Sequence, residues 1–286
     1  MADTGLSGVE KQGPSTVALR CYAELNDYLP PHNRQRDNPV VVRRLATVAD
    51  LIETQGIPRA VIELVLVNGR SCWLDAPLVD GDRVSLYPVF EAMDVSPLLR
   101  LRQHPLREVR FVADAHLGRL ARYLRLLGFD TLFENDPGDA VLVQISGDQG
   151  RTLLTRDRAL LHRRFVTHGL WVPQIRPQEQ LAWLLERLDL YRLFRPFTRC
   201  MVCNGRLEAT TRGRVRGLVP PRVLEVFDRF WRCDRCNRIY WRGSHYERLR
   251  AFIDQLSVMQ SEVGKFGTDC GDGVCCGGDG KACPNA

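Results

Sequence analysis

Two cysteine pairs are the sharpest chemical signal in this sequence of 286 residues. Cys200 and Cys203 form one C-x-x-C motif, and Cys233 and Cys236 form a second. Each motif can fold into a knuckle that presents two thiolates, and two knuckles complete a tetrahedral zinc site. Since four protein ligands leave no open position on the ion, we expect the zinc to be structural. The alternatives are disulfides, a redox pair or an iron–sulfur cluster.

The segment around these cysteines is rich in arginine and aromatic residues. The 29 residues between the two motifs exceed the usual spacing of roughly 15–20, and we expect a two-strand insert that contains Pro220 and Pro221. Residues 200–250 hold 12 arginines and 5 acidic residues, so their formal charge is 12 − 5 = +7. Rings beside guanidinium groups suit the stacked bases and phosphates of single-stranded RNA. Alternatively, the rings form the small core of a ribbon and the arginines face solvent. The rings are those of Trp231, Tyr240, Trp241 and Tyr246.

Acidic residues follow two predicted strands in the middle of the chain. Asp114 comes directly after the apolar run VRFVA, and Asp157 comes shortly after RTLLT. In an open parallel sheet, ligands bind beyond the carboxyl ends of the strands. Asp139 begins an apolar stretch that we interpret as a helix pointing toward the same edge, and Asp136 lies just before it.

Carboxylates gathered at one edge need a cation between them, and oxygen ligands suit magnesium or manganese. One or two such ions can activate water and stabilise the charge that develops as a phosphodiester is cleaved. The alternative is that Asp114 and Asp157 only cap helices, because aspartate is a favoured N-cap residue.

The elements that position these residues alternate between strand and helix. Apolar residues recur at helical spacing from Leu117 to Leu127, Gly128 ends this helix, and Arg119, Arg122 and Arg125 share its other face. Further short strands and a helix that begins at Pro177 follow. This alternation predicts an α/β fold with a parallel sheet covered by helices.

Residues 15–90 have the pattern of a separate small module. Its predicted order is strand, strand, helix, strand, strand, with Thr47 and Asp50 capping the helix and Asn68-Gly69 forming a hairpin turn. This order suggests a β-grasp, or ubiquitin-like, domain.

Four motifs resemble the Mut-seven C-terminal ribonuclease domain, a PIN-like family with an attached zinc ribbon. The module at the N-terminus resembles the ubiquitin-like domain that often precedes this family, and it also resembles small sulfur carriers. Sulfur carriers act through a free C-terminal Gly-Gly, whereas here the chain continues through Phe90 to Met93, so a docking or substrate-positioning role is favoured over sulfur transfer. The motifs are FVADAHLGRLARYLRLLGFDT at 111–131, RTLLTRDRALL at 151–161, PFTRCMVCNGRL at 196–207 and FWRCDRCNRIYWRGSHYERL at 230–249.

The resemblance implies a PIN-like parallel sheet with flanking helices and metal-dependent cleavage of RNA. It places the family's acidic positions at Asp114 and Asp157. It also places one at Asp139, although the stretch that begins there is more apolar than the corresponding motif of the family. Arg119, Arg122 and Arg156 are candidates for binding RNA phosphate. Alternatively, the first two belong to a solvated helix face and the third pairs with a carboxylate. A non-catalytic RNA-binding adaptor, in which the ubiquitin-like domain recruits a protein partner, is the alternative function.

Composition and charge are consistent with this organisation. The formal charge of +6 permits nucleic-acid binding, and 37 of the 40 basic residues are arginine. Since we find neither a signal peptide nor an apolar run long enough for a membrane span, we expect a cytoplasmic protein with no membrane partner. The expected organisation is a flexible N-terminus at 1–13, a β-grasp domain at 14–91, a linker at 92–107, a PIN-like domain at 108–196, a zinc ribbon at 197–250, and a helix end with a disordered Gly/Cys-rich tail at 251–286.

Overall fold

The computed structural model describes residues 14–88 and 109–266, with side chains up to residue 256. The predicted linker at 92–107, the N-terminus at 1–13 and the four cysteines beyond residue 266 lie outside the described residues. Within the described part, no helix is both long and apolar enough to span a bilayer.

The N-terminal module is a five-stranded sheet with one α-helix; it has the predicted strand, strand, helix, strand, strand order with one further short strand, Arg70–Ser71, after the Asn68-Gly69 turn. Its strands are arranged in the order β2-β1-β5-β3-β4, and β1 runs parallel to β5 while the other pairs are antiparallel. The parallel central pair flanked by hairpins is the arrangement of a β-grasp fold. The elements are β1 (Ser15–Cys21), β2 (Asn38–Val42), α1 (Val48–Thr54), β3 (Leu64–Val67), β4 (Arg70–Ser71) and β5 (Arg83–Tyr87).

Local sequence signals explain two features of this module. The Thr47 side chain accepts a hydrogen bond from the N–H of Asp50, whose carboxylate accepts one from the N–H of Thr47, so α1 begins with a complete capping box. Asn68 and Gly69 both have positive φ, 50° and 79°, as a tight hairpin turn between β3 and β4 requires.

The second sheet is entirely parallel and has the order β7-β6-β8-β9. Its strands are short and largely buried because helices cover the sheet, which is the arrangement expected of a parallel sheet. The strand β7 was not predicted from the sequence. The elements are β6 (Arg110–Ala113), α2 (Gly118–Leu126), β7 (Asp130–Phe133), α3 (Asp139–Gln149), β8 (Thr152–Thr155), α4 (Arg158–Leu161), β9 (Gly169–Trp171) and α5 (Pro177–Arg187).

The helix α2 follows its predicted apolar stripe, with one correction. Leu120 and Leu124 are fully buried, and Gly128 ends the helix with φ of 97°. A Cβ at Gly128 would lie 2.2 Å from the carbonyl oxygen of Arg195, so glycine is required there. The prediction that Arg125 shares the exposed face was wrong, because this side chain is only 3% exposed.

The cysteine-bearing segment forms a three-stranded sheet in the order β10-β11-β12. The two strands predicted between the motifs are present, since Leu207–Thr210 pairs with Phe230–Cys233, and the residues around Pro220 and Pro221 form short helices between them. Proline at the first helical position fixes the φ angle that a helix needs, so Pro221 favours a helix over a strand. The elements are β10 (Leu207–Thr210), α6 (Arg212–Val215), α7 (Pro221–Val226), β11 (Phe230–Cys233) and β12 (Ile239–Trp241).

The described residues from 241 to 266 belong to a second compact unit. Its helix, α8, spans Ser244–Phe266 and thus extends into the segment at 251–286, where we expected a helix end followed by a disordered tail. Within this unit the guanidinium of Arg242 lies over the ring of Tyr246, 5.5 Å from its centroid.

Candidate active site and metal centre

The strand order creates a crevice between the carboxyl ends of β6 and β8. From β6 the chain leaves through α2 toward β7 on one side, and from β8 it leaves through α4 toward β9 on the other. The helices therefore diverge at this point, which is where open α/β sheets bind their ligands. Asp114 and Asp157 follow the two strands that flank the crevice.

Asp114 is buried and its carboxylate is held by three hydrogen bonds. Its Oδ1 accepts from the backbone N–H of His116 at 2.9 Å. Its Oδ2 accepts from the Thr155 hydroxyl at 2.5 Å and from the backbone N–H of Arg156 at 2.9 Å. Two of these donors belong to the neighbouring strand end, so the carboxylate joins β6 to β8 as well as capping the turn that precedes α2.

Asp157 is exposed and belongs to the same network. Its backbone N–H donates to the Thr155 hydroxyl at 2.9 Å, and its Oδ1 accepts from the N–H of Ala159 at 2.8 Å, so it caps α4. The Thr155 hydroxyl therefore connects the two aspartates, since it accepts from one residue and donates to the other. Thr155 could not be recognised from the sequence as part of the site, because only the fold brings strand β8 beside Asp114.

Asp139 begins α3 and is exposed. Because α3 connects two parallel strands, it runs antiparallel to them, and its first residue lies toward their carboxyl ends. However, the carboxylate oxygens of Asp114, Asp139 and Asp157 are not all close enough together to bind one metal ion. Among the described residues, the four cysteines are the one group of three or more Cys, His, Asp or Glu that could share a metal ion.

Glu134 is a further acidic residue at this edge, and sequence reasoning missed it. The pairing of Ala113 with Phe133 places Glu134 abreast of Asp114, one strand away. The signal was present in the run DTLFE, where β7 ends immediately before the acid. A strand of four residues that begins with Asp130 was too short and too polar at its start to be recognised.

The three candidate phosphate-binding arginines are all exposed. Arg119 and Arg122 lie on α2, and Arg156 lies between β8 and α4. The backbone of Arg156 is fixed at both ends, because its N–H donates to Asp114 and its carbonyl oxygen accepts from the indole of Trp171 at 3.3 Å.

The four cysteine sulfurs converge as the sequence predicts. All four Sγ atoms lie within 4.8 Å of one another, with 3.6 Å between Cys200 and Cys236 and 3.3 Å between Cys203 and Cys233. A tetrahedron with zinc–sulfur bonds of about 2.3 Å has sulfur separations of about 3.8 Å, so the arrangement fits zinc. No disulfide joins these four residues.

The local backbone and hydrogen bonds prepare the sulfurs for a metal. Asn204 and Asn237 directly follow the two motifs and both have positive φ, 68° and 60°, which turns the chain back around each knuckle. Burial raises the pKa of the Cys200 thiol, but the Tyr240 hydroxyl and backbone N–H groups of the knuckle stabilise its thiolate and bring the pKa to about 7. A thiolate is the form that binds zinc.

The sequence profile of the Mut7-C RNAse domain matches residues 109–253 of the chain. The chain belongs to the Mut7-C RNAse domain family. The profile of the Mut7-C ubiquitin domain matches residues 14–94, so a ubiquitin-like domain precedes the Mut7-C RNAse domain, as expected. No curated protein matches this sequence. Among solved structures, the crystal structure of H. volcanii small archaeal modifier protein 1 is 21% identical and covers 27% of this chain and 99% of its own, with a TM-score of 0.23.

Arg125 connects the parallel sheet of the Mut7-C RNAse domain to the first cysteine knuckle, which contains Cys200 and Cys203. Its guanidinium donates to the carbonyl oxygens of Thr131, Met201 and Val202, at 2.8, 3.3 and 2.8 Å. Burial lowers the pKa of Arg125 from its ordinary value. The residue therefore serves a structural role that its place in an arginine stripe does not reveal.

Asp130 makes a second connection between the sheet and the knuckle. Its carboxylate accepts from Arg151 at 2.8 Å, from Asn204 at 2.7 Å and from Arg199 at 3.2 Å. Burial raises the pKa of Asp130, but the hydrogen bonds from Arg151 and Asn204, together with the two guanidinium charges, hold it below its ordinary value.

The ubiquitin-like domain contacts the Mut7-C RNAse domain beside Asp157. The guanidinium of Arg158, the first residue of α4, lies 5.1 Å from the ring centroid of Tyr28 and 3.8 Å from that of Trp171. It also donates to the carbonyl oxygen of Asp27 at 3.3 Å. An ion pair between Glu24 and Arg187 makes a second contact. The helix that Asp157 caps is therefore held from the ubiquitin-like side.

Proposed function

We propose that the protein hydrolyses RNA phosphodiester bonds at the carboxyl edge of its parallel sheet, with a magnesium or manganese ion held by Asp114 and Asp157 and with Asp139 as a further carboxylate. The observation that carries this proposal is the hydrogen-bond network through Thr155, which fixes two carboxylate-bearing residues at the point where the strand order reverses. Membership of a ribonuclease-domain family supports the same reaction class.

The carboxylates fit an ion that keeps part of its water shell. Magnesium is commonly bound by one or two carboxylates together with substrate phosphates, and it retains several waters. Asp114 and Asp157 can supply those two carboxylates. The described acidic residues do not surround a metal position completely, and magnesium bound in this way does not require that they do. A bound ion would supply an activated water and would stabilise the charge that develops on the phosphate.

The protein's own residues position this chemistry. The Thr155 hydroxyl and the N–H of Arg156 orient the Asp114 carboxylate, and the exposed guanidinium groups of Arg119, Arg122 and Arg156 bind the phosphates of the substrate. The zinc ribbon, with its structural ion and its excess of arginines, holds single-stranded RNA. The ubiquitin-like domain offers its remaining surface to a protein partner.

Cleavage of a labelled single-stranded RNA in the presence of manganese tests the proposal. The double variant Asp114→Asn, Asp157→Asn should lower the rate by more than about a hundredfold, because electrostatic stabilisation by even one group is commonly worth that much. Asp148→Asn is the matched control, because Asp148 is exposed near the C-terminal end of α3, away from the carboxyl edge. Since Asp114 is buried, circular dichroism should verify the fold, and Asp157→Asn alone should still lower the rate. If the double variant cleaves as fast as Asp148→Asn, the catalytic assignment is wrong.

One observation favours a non-catalytic RNA-binding adaptor as the second candidate. Asp114 and Asp157 each accept a backbone hydrogen bond at the start of the following helix, which is sufficient reason for an aspartate at either position. The two functions differ in the same assay, because an adaptor binds the labelled RNA and leaves it intact with every divalent ion added.

A further inference from the structure

A cavity of about 290 Å³ lies between the parallel sheet and the first zinc knuckle. Val112, Leu142 and Ile145 line it from the sheet and from α3, and Val202 lines it from the knuckle. Glu134 and Arg235 contribute charged groups to its lining. The buried guanidinium of Arg125 also lines the cavity, which is thus apolar on the sheet side and carries two positive charges and one negative charge.

This cavity reaches the proposed catalytic edge. Phe133, which also lines it, pairs with Ala113, the residue immediately before Asp114. Glu134 follows Phe133 and lies abreast of Asp114 on the neighbouring strand. The cavity therefore extends from Val112, on the strand that ends before Asp114, to the residue abreast of Asp114 on the neighbouring strand.

The walls of the cavity are held in place before any ligand binds. A Cβ at Gly118 would lie 2.6 Å from Cζ of Phe133, so the ring of Phe133 packs directly on that glycine. On the opposite wall, the carbonyl oxygen of Val202 accepts a hydrogen bond from the buried guanidinium of Arg125. Arg125 is itself occupied by backbone carbonyl oxygens, so its contribution is to fix the knuckle against the sheet.

The lining suits a nucleobase better than a phosphate. Apolar side chains cannot replace the hydration of a phosphate, whereas they bury the faces of a flat ring. The guanidinium of Arg235 can stack on a base, and the carboxylate of Glu134 can accept from an exocyclic amino group. A volume of about 290 Å³ lies at the lower limit of small-molecule pockets, and it is large enough for one base.

We propose that this cavity receives one base of single-stranded RNA while a neighbouring phosphate lies at the edge formed by Asp114 and Asp157. The cavity would make the zinc knuckle part of the substrate site, because Val202 lies between two of the cysteines. This inference rests on the proposed RNA substrate, and it adds a base-binding subsite to a reaction that the carboxylates alone could direct at any backbone phosphate.

Filling the cavity from its exposed side provides the test. Val202→Trp blocks the cavity, and Val226→Trp is the matched control, because Val226 is also exposed and does not line it. Ile145→Phe fills the cavity from α3, and Val141→Phe is its control on the same helix. Thermal denaturation and zinc content should be equal within each pair before binding is compared.

The probes are a short fluorescent oligoadenylate and an abasic ribose-phosphate oligomer of the same length, measured by anisotropy without added magnesium or manganese. We expect Val202→Trp and Ile145→Phe to weaken oligoadenylate binding about tenfold relative to their controls, the loss typical of one base–aromatic contact. Binding of the abasic oligomer should be unchanged. The proposal is overturned if oligoadenylate binds the filled variants as tightly as the controls, or if both oligomers lose affinity equally. Cleavage is measured in a separate assay with manganese. A negative result for the base-binding cavity would therefore leave the proposed RNA cleavage untouched.

Discussion

The side-chain hydroxyl of Thr155 donates a hydrogen bond to Oδ2 of Asp114, across the boundary between the two central strands of the parallel sheet. Both groups are buried, with Thr155 fully inaccessible and Asp114 only 5% exposed. Since the same hydroxyl accepts from the N–H of Asp157, one side chain determines where both acidic residues lie.

Replacing Thr155 with valine should impair both stability and cleavage. Valine has nearly the same shape and lacks the hydroxyl, so Asp114 loses a donor and the N–H of Asp157 loses its acceptor. We expect the free energy of unfolding to fall by about 1–3 kcal/mol, the usual cost of an unpaired buried group, and the manganese-dependent rate to fall with it. Thr155→Ser should restore both quantities. Urea denaturation and the RNA cleavage assay measure them, and equal rates for the valine and serine variants would contradict the positioning role of the hydroxyl.

Removing the Arg158 guanidinium should weaken the contact between the ubiquitin-like domain and the Mut7-C RNAse domain. Arg158→Gln loses the interactions with the rings of Tyr28 and Trp171, and we expect about 1–2 kcal/mol less stability in urea denaturation. Arg163→Gln, at an exposed position in the same segment, is the control. If the two variants unfold at the same urea concentration, Arg158 does not stabilise the contact between the domains.

Asp130 should make the free energy of unfolding depend on pH in the acidic range. The pKa of Asp130 in the folded state lies below its ordinary value, so the ionised carboxylate stabilises the fold. This contribution to the free energy of unfolding is fully present above the unfolded-state pKa of about 4, and it is lost as the pH falls through the lower folded-state pKa. We therefore expect Asp130→Asn to be less stable than the parent at pH 7, and the difference between them to shrink below pH 4. Unfolding free energies measured across this range test the sign, with Asp148→Asn as the control. A difference that stays constant down to the acid limit would contradict the linkage.

Zinc should be present at one ion per chain and should stabilise the fold. Cys203→Ser should lose the ion, whereas Cys72→Ser should retain it, because Cys72 lies in the ubiquitin-like domain. A chelator should lower the melting temperature of the parent and of Cys72→Ser, since removing the ion breaks the bonds that join the two knuckles. Colorimetric zinc release measures the stoichiometry, and a metal content unaffected by Cys203→Ser would disprove the site.

The features that the sequence predicted are those encoded by neighbouring residues. The capping box of Thr47 and Asp50, the Asn68-Gly69 turn and the two C-x-x-C motifs each depend on a few consecutive positions. Local chemistry fixes such features whatever the rest of the chain does, so a short window of sequence suffices to predict them.

The features that the sequence missed depend on distant partners. Arg125 is buried because backbone carbonyl oxygens 76 and 77 positions later accept its hydrogen bonds. Glu134 reaches the carboxyl edge of the parallel sheet because β7 pairs with β6, and β7 is only four residues long. The spacing of acids along the chain likewise could not show that Thr155 lies between Asp114 and Asp157, since the register between β6 and β8 determines it.

The most direct measurement of the central claim is anomalous diffraction from crystals of the protein grown with manganese and a non-cleavable RNA. The account predicts a manganese peak between the carboxylates of Asp114 and Asp157, in addition to a zinc peak among the four cysteines. A zinc peak alone, with both aspartates still bound only to the backbone and to Thr155, would contradict it.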